Sequence, residues 1–337
     1  MTQPHDAVLV LSFGGPEQPD EVMPFLEHVT RGRGIPRDRL LVVAEHYLHF
    51  GGVSPINAQN RAFIAALEVE LAAHGPRLPV YFGNRYSRPY LEDTLRTMAD
   101  DGVCSALVFV TSAFSSYSGC RAYREDLERA RAAVGERAPA VHKLRVFFDH
   151  PLFVDALVAR VREALDASPA DAALVFTGHS VPMSMARSSR YEAQLRAVAA
   201  LVAERVGKER FDLVWQSRSG PPTVPWLEPD VCEHLRALSA AGTKHVVVSP
   251  IGFLSDHMEV VWDLDEEARV VAEKLGLGFV RAATPGTHPS FVAAVRELLC
   301  EQTDAAPRRA LTVLGDGVCG ADCCPPPARP PAARPSA

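Results

Sequence analysis

The chain has 337 residues, 47% of them apolar and 23% charged, which is enough apolar material for a sizeable core in about two domains. A net charge of −6 and an aromatic content of 7% argue against a nucleic-acid binder, which needs basic patches and stacking platforms. No apolar run reaches the roughly 18 residues of a membrane span, and the N-terminus lacks the basic and long apolar regions of a signal peptide, so a cytoplasmic enzyme is expected.

In chain order, residues 6–12 (DAVLVLS) read as a buried strand stopped by Gly14-Gly15-Pro16. Helical spacing follows over 20–30, then a basic, glycine-broken loop over 31–36 and a helix over 58–74. Strands are predicted at 78–84, 105–114 and 144–148, with helices at 90–102 and 121–134 between them. The second half repeats the rhythm, with helices at 152–166, 190–206, 229–241, 257–275 and 289–300. Its strands fall at 172–178, 211–217, 244–253 and 277–282. Strands alternating with helices imply an α/β fold of parallel sheets covered on both faces. Two doubly wound domains are expected, over 1–150 and 151–300, with a boundary near His150-Pro151. Residues 301–337 form an extension that ends in PPPARPPAARPSA, a composition expected to be disordered.

Three motifs could carry chemistry. Phe176-Thr177-Gly178-His179-Ser180-Val181-Pro182 runs from a strand into a turn, the place where open α/β sheets bind ligands. There His179 could take a proton or bind a metal, or simply finish the strand with a hydrogen bond. Glu259, Asp263 and Glu267 follow at i, i+4 and i+8 in a helix that starts after Ser255-Asp256-His257. That spacing puts the carboxylates on one face, as a solvated acidic surface or as a row that attracts cations and accepts protons. Cys319, Cys323 and Cys324 crowd into six residues of non-apolar sequence. They could be free surface thiols. With a fourth thiolate they would make a shell suited to zinc or an iron–sulfur group, and Cys120, just past a strand, is the best candidate. The glycine motifs Phe13-Gly14-Gly15-Pro16 and Phe50-Gly51-Gly52-Val53-Ser54-Pro55-Ile56-Asn57 are neither GxGxxG nor GxxxxGKS, which leaves nucleotide binding unsupported, and no GxSxG occurs, which disfavours an α/β-hydrolase.

Taken together, LSFGGPE (11–17), HVTRGRG (28–34), YLHFGGVSPIN (47–57), FTGHSVP (176–182), VWQSRSGPPTVPWLEPDV (214–231) and VSPIGFLSDHMEVVWDLDEE (248–267) resemble the ferrochelatases over about residues 6–300. Gly178 and Val181 stand where the family often has Ala and Leu. The resemblance implies two Rossmann-like, chelatase-type domains with a porphyrin cleft between them, and insertion of Fe²⁺ into a porphyrin with release of two pyrrole protons. His179 then corresponds to the family histidine, for metal contact and deprotonation, and Glu259 to its partner, with Asp263 and Glu267 continuing a relay. Arg31, Arg33, Ser54 and Tyr123 become candidates for the porphyrin carboxylates. Glu17 stands where many bacterial relatives have a tyrosine that approaches the metal, so that loop offers a carboxylate instead.

The cysteines resemble those of the actinobacterial-type members, which implies a [2Fe–2S] cluster on Cys120, Cys319, Cys323 and Cys324. That subfamily implies coproporphyrin III as substrate and coproheme as product, passed to a later haem-pathway enzyme. Protoporphyrin IX is the alternative substrate. An apolar membrane-docking lip is not evident in the sequence, which favours the more soluble coproporphyrin. Two competing readings remain: a cobalt or nickel chelatase, and a non-catalytic iron–sulfur or haem sensor. A monomer is expected.

Overall fold

The computed structural model describes residues 5–220, 223–313, 320 and 322–326. In the first half β1 (Ala7–Ser12), β2 (Val80–Asn84), β3 (Ser105–Val110) and β4 (Ala140–Lys143) form a parallel sheet in the order β2-β1-β3-β4. In the second half β5 (Ala173–His179), β6 (Asp212–Gln216), β7 (His245–Ser249) and β8 (Gly278–Arg281) form another, in the order β6-β5-β7-β8. The order is the same in both, so each sheet reverses its winding beside its first strand. That switch point opens a crevice at the carboxyl ends of β1 and β5. Strands β1 and β3 are buried at every residue, which is why both read as unbroken apolar runs.

Two sequence expectations need correction. The strand expected at 144–148 is displaced: β4 ends at Lys143, and the amides of Phe147 and Phe148 both turn to the carbonyl of Ala113. The run is apolar because it crosses the core toward the helix Pro151–Asp166, not because it pairs. A helix at Arg37–His49 was not anticipated, although Pro36 precedes it and Leu40, Ala44 and Tyr47 recur at helical spacing on its buried side. It exposes Leu41, Val42 and Leu48, and Ile35 and Val53 flank it, so apolar surface exists where the sequence suggested none.

One apolar core runs through both halves and includes Val10, Phe109, Phe147, Phe176 and Trp215. The helix Pro289–Thr303 follows the last strand of the second sheet but packs on Ile56–His74 of the first half. Its Phe291 meets Phe63 and Phe147, with ring centroids at 5.1 and 6.2 Å. The chain beyond that helix is tied to the first half. Arg145 forks onto Glu301 at 2.8 Å through two nitrogens, and Asp149 accepts from the amide and hydroxyl of Thr312 at 3.2 and 2.6 Å. Cys319, and the proline-rich tail from residue 327 on, lie outside the described residues. No described helix is long and apolar enough to cross a membrane.

Candidate active site

His179 is the last residue of β5, so the strand presents it at the mouth of the crevice. Its Nδ1 lies against the carbonyl of Ser180. A carbonyl only accepts, so Nδ1 carries a proton and Nε2 is left to act. Nε2 stands 3.4 Å from Glu259 Oε2. Burial would lower the His179 pKa, but the charge and hydrogen bond of Glu259 overcome it and push it up to about 9. Burial would conversely raise Glu259, and the His179 charge brings it down to about 2. At neutral pH the two form an ion pair with proton and charge already placed.

Glu259 sits in the first turn of a helix over 258–274 whose middle, Val261–Ala268, winds as a π-helix. In α-winding, residues four apart drift about 40° around the axis, and the wider π-turn reverses that drift. Glu259, Asp263 and Glu267 thereby stay in a nearly straight file. Its inner end faces His179 and its outer end, Glu267, is exposed. Burial, then the charges of Glu259 and Glu267, raise Asp263 to about 7 against the opposing hydrogen bond from Ser217. Near neutral pH Asp263 exists in both protonation states.

Several neighbours of this file were not singled out in the sequence. His257 caps the helix: its Nδ1 accepts from the Glu259 amide at 3.2 Å and lies 4.0 Å from Glu259 Oε2. Burial, and then the His179 charge, lower its pKa against the pull of Glu259, so it stays neutral. Gln216 is 1% exposed and links the end of β5 to the π-helix. It accepts from Thr177 Oγ1 at 2.8 Å, donates to the Glu259 carbonyl at 3.2 Å and reaches Asp263 Oδ2 at 3.4 Å. Ser217 donates to the same carboxylate from a left-handed backbone, φ +64°, an uncommon conformation for serine. Trp262 stacks on His46 at 3.8 Å, so the helix Arg37–His49 covers the outside of the π-helix. Gln216 and Ser217 lie in the segment VWQSRSG, and His257 and Trp262 in VSPIGFLSDHMEVVWDLDEE, so their signal lay in the motifs and not in periodicity.

The glycine loop that follows β1 is held by close packing within the first half. Gly14 has φ +85°, and a Cβ there would lie 2.3 Å from Ser87 Oγ; a Cβ on Gly15 would lie 2.6 Å from that of Ser54. Both glycines are required by close approach. Asn57 clamps the loop by donating to the Gly15 carbonyl at 3.1 Å. Of the four residues considered for porphyrin carboxylates, Arg31 and Arg33 are exposed on the loop after the helix Val22–Val29. Ser54 and Tyr123 are 3% and 4% exposed. Ser54 backs Gly15, and the Arg85 guanidinium lies 4.5 Å over the Tyr123 ring. The Glu17 carboxylate is committed to Arg61 at 2.5 Å.

Cys120 lies in a second π-turn, Tyr117–Arg121, just after β3, and is 2% exposed. The C-terminal segment reaches this turn, where Arg121 Nη1 donates to the Cys323 carbonyl at 3.2 Å. Burial pushes the Cys324 thiol up to about 11, and the charges of Cys120 and Cys323 add to it. Three of the four cysteines named from the sequence therefore share one place. Among the described residues no group of three or more His, Cys, Asp and Glu is arranged to hold a metal ion. The soft thiol donors nonetheless suit an iron–sulfur group better than a hard cation.

Comparison with known proteins bears on the whole chain. The family model described as Ferrochelatase matches residues 5–303. A protein of Nocardia farcinica named coproporphyrin III ferrochelatase is 55% identical, over 96% of this chain and 97% of its own. One of the same name from Mycolicibacterium smegmatis is 54% identical, over 95% and 98%. Among solved structures, SirB from Bacillus subtilis with Fe³⁺ superposes with a TM-score of 0.55 at 14% identity, over 89% of this chain and 96% of its own. CbiX, titled the terminal enzyme for biosynthesis of siroheme in denitrifying bacteria, gives 0.52 at 16% identity, over 90% and 100%. At those identities the structural likeness speaks to the fold alone.

Proposed function

The chain belongs to the ferrochelatase family, and on that premise we propose that it inserts Fe²⁺ into coproporphyrin III to form coproheme, on the way to haem b. The observation that carries this reading is the His179–Glu259 pair, 3.4 Å apart at the inner end of a file of carboxylates. The names of the relatives support coproporphyrin III as the substrate.

Insertion exchanges one Fe²⁺ for two pyrrole protons. In our reading Glu267 and Asp263 lead the substrate iron inward, and Glu259 receives it beside His179. Once Fe²⁺ neutralises Glu259, the strongest hold against the burial of His179 is gone, only the Ser180 carbonyl and Asp263 still oppose it, and the proton leaves. Asp263, still raised above the usual carboxylate range by burial and by the Glu267 charge, accepts and passes protons toward exposed Glu267. Neutral His179 Nε2 then serves as metal contact and as base for a pyrrole N–H. Arg31 and Arg33 are assigned to the propionates, which guanidinium forks match. Ser54 and Tyr123 act from behind, by supporting Gly15 and Arg85. Coproheme keeps its four propionates, so a later decarboxylating enzyme must receive it.

Cys120, Cys323 and Cys324, with Cys319, are assigned to a [2Fe–2S] cluster. When bound, such a group supplies a covalent staple or a redox centre. The insertion steps above use neither. What this chain contributes is the Cys120 turn and the Arg121 contact that bring Cys120, Cys323 and Cys324 to one place.

Anaerobic Fe²⁺ insertion, followed by loss of porphyrin fluorescence, tests the reading. Coproporphyrin III and protoporphyrin IX are compared, with His179→Ala alongside. Rapid loss with coproporphyrin alone, abolished in His179→Ala, is expected. Preference for protoporphyrin overturns the substrate. No turnover with either, from folded protein, overturns the activity and favours a sensor.

A further inference from the structure

The first turn of the helix Tyr191–Arg205 touches both halves of the molecule. Tyr191 is 7% exposed, and its hydroxyl donates to the backbone oxygen of His179 at 3.0 Å. Its ring lies edge-on to Phe114 of the first half, with centroids 6.3 Å apart. One turn later Gln194, 1% exposed, crosses the interface. Its Oε1 accepts from the Ser115 amide at 2.8 Å, and its Nε2 donates to Ser115 Oγ at 2.9 Å. Ser115 follows the end of β3 and directly precedes the cap of the Cys120 turn.

Stability alone does not explain this amide. A buried hydrogen-bonded pair is worth little more than an apolar pair of the same shape. An apolar contact, however, tolerates sliding, whereas two directional bonds fix a register. Gln194 sets where the second half sits against the first, and Tyr191 carries that register to the residue that presents the imidazole.

We propose that Tyr191 and Gln194 are positioning residues for metal insertion, a crossbar that fixes His179 relative to the porphyrin seat on the first half. The inference rests on the assignment of His179 to the reaction. A misplacement of about 1 Å can cost a reaction on the order of 100-fold, while ground-state binding barely notices it. On the proposed reading the first-half part of the seat is the loop of Arg31 and Arg33, whereas the crossbar reaches the first half at Phe114 and Ser115.

The test compares kcat and porphyrin KM in the full chain for Gln194→Leu, Gln194→Glu and Tyr191→Phe, with circular dichroism and thermal unfolding for each. Gln194→Leu is expected to lower kcat about tenfold or more with porphyrin KM within about twofold. Gln194→Glu can accept from both the Ser115 amide and its hydroxyl, and is expected to recover kcat to within about threefold. A purely structural residue would instead lower the unfolding temperature with kcat unchanged per folded molecule. Tyr191→Phe keeps the ring and so carries the test if Gln194→Leu does not fold; it too should lose kcat and not KM. Wild-type kcat in both Gln194→Leu and Tyr191→Phe, beside an inactive His179→Ala, overturns the crossbar. A rise in KM in place of the fall in kcat does the same. An active His179→Ala overturns the premise and the crossbar with it.

Discussion

Replacing Glu259 by Gln removes the charge that faces His179 and keeps the side chain's shape. At 3.4 Å the attraction is about 1 kcal/mol in bulk water and about 5 kcal/mol at an effective dielectric of 20. The side chains are 32% and 49% exposed, so screening holds the effect to about 1–3 kcal/mol. At about 1.4 kcal/mol per pH unit, His179 in Glu259→Gln releases its proton about one to two pH units lower than the wild-type value of about 9. The same pair shapes stability. His179 is raised from 6.5, so its contribution is whole below pH 6.5 and is lost as pH rises through about 9. Glu259 is lowered from 4.5, so its part is present above pH 4.5 and is lost as pH falls toward about 2. Thermal stability of the wild type therefore carries a contribution, fullest between those two unfolded-state values, that the variant lacks. Imidazole NMR titration measures the proton directly, with His179→Ala assigning one resonance among the 12 histidines. If that resonance titrates at the same pH in wild type and Glu259→Gln, the ion pair is not what holds the proton and the reasoning fails.

Four further outcomes are expected. Asp263→Asn keeps the Ser217 bond but cannot pass a proton, so turnover falls by about 10²–10⁴ while porphyrin binding, read by fluorescence quenching, is unchanged. Cys323→Ser abolishes the visible absorption assigned to the cluster; an unchanged spectrum removes Cys323 from the ligand set. Arg145→Ala leaves Glu301 buried without its fork and destabilises the fold by about 3–5 kcal/mol, measured by urea unfolding. Gly178→Ala introduces the residue usual in the family, but its Cβ would meet buried Leu195 at 2.8 Å and Trp215 at 3.2 Å, so thermal unfolding should show a loss of about 1–3 kcal/mol.

The fold was legible where burial writes a simple pattern. β1, β3 and β5 are nearly all buried, so their apolar runs located them to within a few residues. The 144–148 run has the same composition, and composition cannot say whether a backbone pairs or merely crosses a core. The helix Arg37–His49 was hidden for a different reason. Its residues serve three neighbours at once: Tyr47 faces the apolar cluster, His46 faces Trp262, and Leu41 faces solvent. No single apolar stripe emerges from that. In the candidate site, His179 and the carboxylate file were readable because strand end and helix spacing are local properties. Gln216, Ser217, Tyr191 and Gln194 act through partners 12 to 79 residues away, and spacing along the chain holds no trace of such pairs.

A chelatase faces a conflict, since a site that captures iron well tends to keep it. In the proposed mechanism the His179–Glu259 pair resolves this with a proton. At pH 7 Fe²⁺ has to displace a proton from a group with a pKa of about 9, which weakens binding on the order of 100-fold relative to a free imidazole. The displaced proton can leave by Asp263, whose burial raises its affinity for a proton above that of an ordinary carboxylate. When the iron moves into the ring, two pyrrole protons are released. One reloads His179 and restores the ion pair, and the other follows the carboxylate file outward. The sum is one Fe²⁺ in and two protons out, with the pair back in its starting state. The reloaded proton also closes the site to the metal that has just left it. On this account the raised pKa of His179 gives the transfer its direction, and a site with an unpaired, neutral histidine would bind iron more tightly and turn over more slowly.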